Sequence, residues 1–304
     1  MKYVVTGGAG FIGSNLAEAL LKAGHEVRIL DNLSTGRREN IPQDADFYEL
    51  DFTDLDAIRP VFEGVDGVFH VGALPRVPYS IEHPIESSEV NIFGTLNVLV
   101  AARDAGVKRV VYSASGSAYG GSPDMPYTPD MKAKPLSPYA IQKYVGELFV
   151  EQFAKLYGME TVSLRYFNVY GPRMAMEGAY ATVLSIFARQ KLAGEPLTIQ
   201  GDGEQTRDMT HVSDVVRANI LAMESPKVGK GEVLNVGTGT RHSINTIARM
   251  IGGPTVSQPA RAGDPRDSLA DISKTKELLG WEPAISFHEG ACETLKSLGV
   301  ESVE

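Results

Sequence analysis

The chain has 304 residues, of which 43% are hydrophobic and 22% are charged, enough apolar material for one large domain or two smaller ones. Its net charge of −9 argues against nucleic acid or anionic membrane as a main partner, because both need a basic surface. Cys292 is the only cysteine, which excludes an intrachain disulfide and a cysteine metal cage, and the scattered histidines predict no metal site. A first strand starting near Lys2 and the lack of a long apolar run predict a cytoplasmic protein.

The first predicted element is a strand over 3–5, followed by a glycine turn and a helix that starts near Phe11. Glycines in the spacing G-x-x-G-x-x-G let the turn tighten and let a pyrophosphate approach the backbone amides. The start of the helix offers unpaired N–H groups and the positive end of its dipole to such a diphosphate. A glycine turn without a ligand is the alternative for this motif alone. The turn predicts a dinucleotide site on Gly7, Gly10, Phe11, Ile12 and Gly13.

A second predicted strand, over 26–30, ends at Asp31, about twenty residues after the glycines, where dinucleotide folds carry an acid that binds the ribose. A carboxylate there accepts a hydrogen bond from the 2′-hydroxyl and repels a 2′-phosphate. The position therefore predicts NAD rather than NADP, although Arg37 and Arg38 are close enough in sequence to keep NADP open. Asp31 as a simple turn residue is the other alternative.

Further strands are predicted over 47–50, 67–71 and 109–113, with helices over 55–62 and 84–105. The apolar run 67–71 is typical of a strand buried on both faces of a parallel sheet. Ligands of such sheets lie at the carboxyl ends of the strands, near the topological switch point. Asp51, Gly72 and Ala73 follow strand ends and are therefore predicted to line the cofactor.

Ser137 and Pro138 predict the N-cap and first residue of a helix that runs to about Tyr157, and a sixth strand follows over 162–166. This regular alternation predicts an α/β protein with a doubly wound parallel sheet of the Rossmann type. The alternation ends after Arg173. Later elements are predicted as helices over 180–192 and 212–223 and strands over 197–199 and 233–236. The predicted division is an NAD-binding domain of residues 1–172 with 208–238, and a smaller interleaved α/β substrate-binding lobe of residues 173–207 with 239–304.

Tyr139 and Lys143 are four residues apart on one predicted helix and so share a face. A tyrosine with an unperturbed pKa of ~10 needs roughly 4 kcal/mol of stabilisation of its anion to act as a base near pH 7. A lysine ammonium near 4 Å, at an effective dielectric of ~20, supplies about that much. We therefore expect Tyr139 to be the general base, with Lys143 lowering its pKa and holding the nicotinamide ribose. Ser115 follows the fifth strand and could share the substrate proton, or be a turn serine.

Four motifs together resemble the extended short-chain dehydrogenase/reductase family, and within it the 4-epimerases of UDP-glucose and UDP-N-acetylglucosamine. They are TGGAGFIG at 6–13, DNLSTG at 31–36, SPYAIQK at 137–143 and LRYFNVYGPR at 164–173. The resemblance implies a tightly held NAD⁺ that is recycled. Tyr139 would take the C4 hydroxyl proton, hydride would pass from C4 to the nicotinamide, and the 4-keto sugar would turn and receive hydride on its other face. Further cofactor contacts are implied at Asn32, Ser34, Thr35, Gly36, Phe52, Val71, Asn91, Ser113 and Tyr166, besides Tyr139 and Lys143.

The same resemblance assigns a UDP-sugar site. Arg207 and Arg261 would clamp the diphosphate with bidentate guanidinium contacts, Asp264 would bind the uridine ribose, and Asn168 would contact the diphosphate-sugar. Ser268 stands where a bulky family residue excludes an N-acetyl group, so its small side chain favours N-acetylhexosamines as well. As alternatives, Arg207 is a solvated loop arginine and Asp264 is a turn former.

Relatives that dehydrate or decarboxylate carry an acid just after the position of Ser115, where this chain has Gly116 and Ser117. The sequence therefore predicts a 4-epimerase of UDP-glucose and UDP-galactose, and of UDP-GlcNAc and UDP-GalNAc. The alternatives are a UDP-glucuronate 4-epimerase or a nucleotide-sugar dehydratase and, from another class, a non-catalytic NAD-binding sensor. A homodimer formed through the helices of Asn91 and Tyr139 is implied by the resemblance only.

Overall fold

A computed structural model describes residues 1–75, 77–175, 182–260 and 265–300. The strands in chain order are β1 (Lys2–Thr6), β2 (Glu26–Leu30), β3 (Asp46–Tyr48), β4 (Gly67–His70), β5 (Arg109–Ser115), β6 (Glu160–Tyr166), β7 (Val169–Tyr170), β8 (Leu197–Gln200), β9 (Thr206–Arg207), β10 (Thr210–His211), β11 (Lys230–Val236), β12 (His242–Ser243) and β13 (Thr255–Gln258). Seven of them form one parallel sheet in the order β11-β6-β5-β4-β1-β2-β3. The predicted doubly wound α/β fold is confirmed.

Helices cover both faces of this sheet. The helices of the described residues, in chain order, are α1 (Phe11–Lys22), α2 (Leu55–Ile58), α3 (Val77–Glu82), α4 (Pro84–Ser88), α5 (Thr95–Asp104), α6 (Pro138–Tyr157), α7 (Val183–Leu192), α8 (Val212–Glu224), α9 (Ile244–Ile251), α10 (Ser273–Leu279) and α11 (Phe287–Ser297). Because side chains alternate along a strand, Val5 packs with α1 and α8 in one apolar cluster, whereas Val4 packs with α5 and α6 in another. Both faces of β1 are therefore buried.

The strand order reverses between β1 and β4, which makes this the topological switch point. The two strands are in register so that Thr6 pairs with His70 at their carboxyl ends. A groove opens outside strand ends at such a point. The glycine turn that follows β1 and the loop that follows β4 therefore face each other across the groove.

Three two-stranded sheets lie outside the large one: β7 with β10, β8 with β13, and β9 with β12. Strand β8 packs with α7, α9 and α11 around a third apolar cluster that includes Leu184, Phe187 and Ile247, and the exposed strand β13 pairs with β8. The chain leaves the large sheet after β6 and returns to it at β11. The exact division into two domains stays a prediction.

Some predicted elements differ from the structure in their interior or at one end. The helix predicted over 84–105 is α4, a π-helical turn over Glu89–Gly94, and α5, and α3 precedes it without having been predicted. The helix predicted over 55–62 changes to a 3₁₀ helix at Arg59–Phe62, because Pro60 lacks the N–H that an α-helix needs. The third strand ends at Tyr48 rather than Leu50, since its partner β2 ends at Leu30.

In the described part of the chain, we find no helix that is both long enough and apolar enough to cross a membrane.

Candidate active site

In the glycine turn, the backbone of Gly7 packs directly against the backbone of Gly72. Gly7 has φ +67°, and a Cβ on it would lie 2.6 Å from the Cα of Gly72. A Cβ on Gly13 would lie 2.2 Å from the carbonyl oxygen of Gly7, and Gly10 is the N-cap of α1. The first-turn amides of α1, including those of Phe11 and Ile12, have no acceptor within the helix and suit a pyrophosphate. The turn thus fits a dinucleotide and excludes larger side chains.

A cavity of about 240 Å³ opens beside this turn. It brings together nine of the residues predicted to bind the cofactor. They are Gly7, Asp31, Asn32, Ser34, Thr35, Asp51, Phe52, Gly72 and Ala73. Val71 directly precedes the last two, and Gly36 lies against the carboxylate of Asp31, where a Cβ would be 2.9 Å from Oδ1. The segments that follow β1, β2, β3 and β4 therefore meet at one cavity, as the order of these strands in the sheet predicts.

Asp31 is 7% exposed and accepts hydrogen bonds from the amides of Ala9, at 3.0 Å, and Leu33, at 2.8 Å. Burial raises the pKa of this carboxyl group, and the two N–H donors act in the opposite direction. The bond to Leu33 is the turn contact considered as an alternative from the sequence. Asp31 thus shapes the turn and lines the cavity as well.

Asp51 sits at the other side of the cavity, where it accepts hydrogen bonds from Thr53 and from the side-chain amide of Asn32, at 2.7 Å. Partial burial acts to raise its pKa, but these hydrogen bonds outweigh it and the pKa is lowered. The cavity is therefore lined by ionised carboxylate at neutral pH, which suits the hydroxyl and amino donors of an adenosine better than a further phosphate.

Asn91 lies in the π-helical turn, and both ends of its side-chain amide are engaged within the protein. Its Oδ1 accepts from the amide of Leu74 at 2.8 Å, and its Nδ2 donates to the Leu74 carbonyl at 3.1 Å and to Gln142 Oε1 at 2.8 Å. The side chain therefore holds the loop after β4 against α6. A direct contact of Asn91 with a cofactor stays a prediction.

Helix α6 starts as predicted, with Ser137 accepting from the amide of Ala140 at 3.2 Å and Pro138 in the first turn. The amide of Tyr139 donates to Ser80 Oγ of α3 at 3.0 Å. Tyr139 and Lys143 follow on one face of the helix, which packs against β5 and the 3₁₀ turn after it. Ser115, the last residue of β5, thus lies on an element next to α6.

Lys143 is only 4% exposed, and its Nζ lies 4.7 Å from the centre of the Tyr112 ring. Burial lowers its pKa to about 7, against the opposing effect of Glu147 one turn later. At pH 7 about half of these side chains therefore carry a charge. The full positive charge that the sequence analysis assumed for Lys143 is therefore the largest charge this side chain can carry in the protein without cofactor.

Glu147 itself was missed in the sequence, although it continues the spacing of Tyr139 and Lys143. Its carboxylate makes two hydrogen bonds with Arg165 of β6, at 2.9 and 2.7 Å, and both side chains are 3% exposed. Burial raises the pKa of Glu147, and Arg165 opposes this. A charged residue within the apolar strand β6 was the signal that a buried partner exists.

Ser115 Oγ accepts from the amide of Ser117 at 3.2 Å, so the turn alternative from the sequence is realised here too. Ser113 and Tyr166 are joined by a hydrogen bond of 2.9 Å, and Tyr166 also donates to Asn219 of α8 at 2.9 Å. Burial raises the pKa of Tyr166 to about 12. Ser113 and Tyr166 thus link β5, β6 and α8, and their contact with a cofactor stays a prediction.

Among the residues predicted to bind the substrate, Asn168 has φ +31° and donates from Nδ2 to the carbonyl of Asp208 at 2.8 Å and to Ser268 Oγ at 3.3 Å. Arg207 donates to the carbonyls of Thr206 at 2.9 Å and Arg266 at 3.0 Å. The structure therefore brings Asn168 and Ser268 together at Asp208, the residue that follows Arg207 in the chain. The predicted residues Arg261 and Asp264 lie outside the described residues.

Asp208 contacts both Asn168 and Ser268 and was missed in the sequence. It is fully buried, and its carboxylate accepts from the amides of Thr238 at 2.7 Å, Gly239 at 3.1 Å and Ala270 at 3.0 Å. Burial raises its pKa and these donors oppose the shift. A short motif cannot reveal such a role, because the donors come from distant parts of the chain.

Residues 3–237 match the NAD dependent epimerase/dehydratase family. The chain is 38% identical to UDP-glucose 4-epimerase of Mycolicibacterium smegmatis, with 97% of this chain and 98% of that protein covered. It is 36% identical to UDP-N-acetyl-alpha-D-glucosaminuronate decarboxylase of Bacillus cytotoxicus, with 96% of each covered. Among solved structures, UDP-glucose 4-epimerase of Thermotoga maritima with UDP-glucose superposes with a TM-score of 0.94 at 41% identity, covering 98% of this chain and 99% of that one.

Proposed function

Because the chain belongs to the NAD-dependent epimerase/dehydratase family, we propose that it interconverts UDP-hexoses with their 4-epimers. The observation that carries this proposal is that Tyr139 and Lys143 lie four residues apart on α6, with Lys143 Nζ 4.7 Å from the ring of Tyr112 on β5. Identity to relatives does not decide the reaction, since an epimerase and a decarboxylase match almost equally well. The stretch after Ser115 favours epimerisation, because Gly116 and Ser117 offer no further acid.

NAD fits the residues present. The Gly7–Gly13 turn leaves no space for added side chains, α1 presents its amino end, and Asp31 retains acceptor capacity at the cavity. When bound, NAD⁺ supplies a hydride acceptor that can return the hydride to the substrate. The chain's own residues would handle the proton: Tyr139 takes it from the C4 hydroxyl, Ser115 hydrogen-bonds the same oxygen, and the charge of Lys143 stabilises the phenolate.

The UDP-sugar would lie on the side of Asn168, Arg207 and Ser268, with Arg261 and Asp264 as further contacts. Arginine is suited to a diphosphate because its guanidinium group donates two parallel hydrogen bonds. Ser268 is small and buried beside Asn168. We therefore propose UDP-glucose and UDP-galactose as substrates, together with their N-acetylated counterparts.

The test incubates the protein separately with UDP-glucose, UDP-GlcNAc and UDP-glucuronate and follows the sugar protons by NMR. A 4-epimer without loss of mass supports the proposal, whereas release of CO₂ or a 4-keto-6-deoxy product would replace it with a decarboxylase or dehydratase. Tyr139→Phe is expected to lower turnover by about 10²–10⁴-fold, the usual contribution of a general base, while NAD stays bound. Tyr144→Phe, on the same helix, is the control. NAD binding without any conversion would indicate the sensor alternative.

We also propose a homodimer, formed by an apolar face on α3, α4, the π-helical turn and α6, which pack against one another. Its side chains are 42–76% exposed: Ile81, Ile85, Phe93, Ile141 and Leu148. Contiguous apolar surface of this kind commonly marks a protein interface. Ile85→Lys with Ile141→Lys should halve the mass measured by analytical ultracentrifugation, and Leu192→Lys on α7 should not. A monomeric wild type would contradict the proposal. The cytoplasmic location stays a prediction.

A further inference from the structure

Two series of hydrogen bonds meet at His70, the last residue of β4. The imidazole is fully buried, with Nδ1 2.7 Å from Thr6 Oγ1 and Nε2 3.0 Å from Thr95 Oγ1. Thr6 ends β1 and Thr95 begins α5. His70 therefore joins the two strand ends of the switch point to the helix beside them.

The partners of the two threonines determine which nitrogen carries the proton. Thr6 Oγ1 accepts from the amide of Gly72 at 3.0 Å, which leaves its own hydrogen for Nδ1 of His70. Thr95 Oγ1 donates to the carbonyl of Asn91 at 2.8 Å and so accepts from Nε2. A neutral imidazole with its proton on Nε2 thus satisfies both threonine contacts.

The electrostatic environment agrees with this assignment. Burial lowers the pKa of His70 to about 3, and the charge of Lys143 acts in the same direction. Its ring lies between Phe52, which lines the cavity, and Tyr112, which contacts Lys143, with ring centres 5.6 Å away in both cases. A second proton is therefore strongly disfavoured at neutral pH.

Both series end on the same stretch of backbone. The Thr6 series holds the amide of Gly72, and the Thr95 series continues through Asn91 to the amide and carbonyl of Leu74, at 2.8 and 3.1 Å. Residues 72–74 form one wall of the cavity beside the glycine turn. Hydrogen bonds thus hold this wall at both ends, at Gly72 and at Leu74, and both series of bonds include the imidazole of His70.

We propose that His70 is a positioning residue for the cofactor: through Thr6 and Thr95, its neutral Nε2–H form holds residues 72–74 in the shape that retains NAD. The proposal depends on NAD binding, which the family shows, and not on the epimerase reaction. It predicts that removing either hydroxyl group, without changing side-chain shape, loosens one end of the wall and accelerates the loss of NAD.

The binding test uses Thr95→Val and Thr6→Val in the NAD-bound protein. Each removes a buried hydrogen bond and leaves a polar partner unsatisfied, so NAD should dissociate on dilution about tenfold faster. Amide exchange should quicken at Leu74 in the first variant and at Gly72 in the second. Thr95→Ser restores the hydroxyl group and should dissociate NAD within about twofold of wild type.

Val98→Ala, a fully buried change on the same helix α5, is the control for general destabilisation. It should lower the melting temperature without changing NAD dissociation or exchange at residues 72 and 74. If it accelerates NAD loss as much as Thr95→Val does, or if both valine variants retain NAD like wild type, the proposal is wrong.

The imidazole is tested directly by ¹⁵N NMR of histidine-labelled protein, with the His70 signals assigned by their loss in His70→Gln. A neutral Nε2–H pattern that is unchanged between pH 5.5 and 8.5 supports the proposal. A proton on Nδ1, or titration in that range, would overturn it, whatever activity the enzyme shows.

Discussion

Lys143 must be charged for the proposed chemistry, but its burial favours the uncharged form. Its charge is needed beside Tyr139, yet its position against Tyr112 removes most of its hydration. The spacing of Tyr139 and Lys143 was readable from the sequence. The lowered pKa was not, because it depends on side chains from β5 and on the depth of the site.

Lys143→Met should therefore raise the free energy of unfolding at pH 7. The folded protein releases the lysine proton near pH 7, whereas the unfolded chain keeps it until about pH 10.4. Wild-type stability rises with pH between these values, because the unfolded state binds more protons there. The advantage of the variant should thus shrink by up to about 1.4 kcal/mol per pH unit. Urea unfolding of both proteins at pH 7, 8 and 9 measures this difference, and a constant difference would contradict the expectation.

Helix α6 illustrates what a single element contributes. Its first-turn amides are held by two serines, Ser137 within the helix cap and Ser80 from α3. The cap, the proline and the length of this helix were all predicted from local residues. The contact with Ser80 was not, since α3 itself has no clear signal in the sequence.

Ser137→Ala should cost about 1 kcal/mol of stability, the usual value for loss of an N-cap. It should also lower turnover, because the freed first turn carries Tyr139. Ser286→Ala is the matched control: it removes the cap of α11, whose capping box pairs Ser286 with Glu289. Urea unfolding and steady-state rates separate the two effects. Equal turnover in both variants would show that the cap has no role in placing Tyr139.

The π-helical turn and the small sheets show why other elements escaped prediction. The hydrophobic pattern over 84–105 is helical throughout, and nothing local marks the turn at Glu89–Gly94. Within it, Asn91 is held by Leu74 and Gln142, which lie 17 and 51 residues away in the chain. Strands of two residues, such as β7 and β10, likewise depend on a distant partner for their existence.

Considered as a whole, the molecule buries two neutral histidines, His70 in the large sheet and His211 between β10 and α8. Burial lowers the pKa of His211, while Glu293, 3.8 Å from its Nε2, and Asp214 oppose the shift. The unfolded chain takes up these protons near pH 6.5, and the folded protein only at lower pH. Stability is therefore fully present above pH 6.5 and falls as the pH decreases below it.

His211→Asn isolates one of these contributions. Asparagine can still accept from the amide of Ser213, as His211 does at the start of α8, but it does not titrate. The stability difference between wild type and variant should shrink on acidification from pH 7 to 5.5, by up to about 1.4 kcal/mol per pH unit. Urea unfolding at several pH values measures it, with His25→Gln as a control at a half-buried site. A difference independent of pH would mean that His211 takes up its proton at the same pH in the folded and the unfolded protein, which would contradict the expectation.

For the molecule as a whole, the sequence was most informative in the part where strands and helices alternate regularly. Apart from α3, the strands and helices up to β6, the glycine turn and Asp31 follow from periodicity and fixed spacing, and they locate the cavity beside the glycine turn. Asp208 and His70 could not be assigned this way, because what makes them important is the set of donors and acceptors that folding brings to them.

The late return of β11 to the sheet has a consequence for synthesis. A ribosome makes β6 more than sixty residues before β11, and the intervening chain forms the short strands β7 to β10 and the helices α7 and α8. Until Lys230–Val236 emerges, one edge of β6 has no neighbouring strand, and open edges invite wrong pairing. The nascent protein therefore completes its large sheet only after residue 236 has been made, and a chain truncated before residue 230 would keep that edge open.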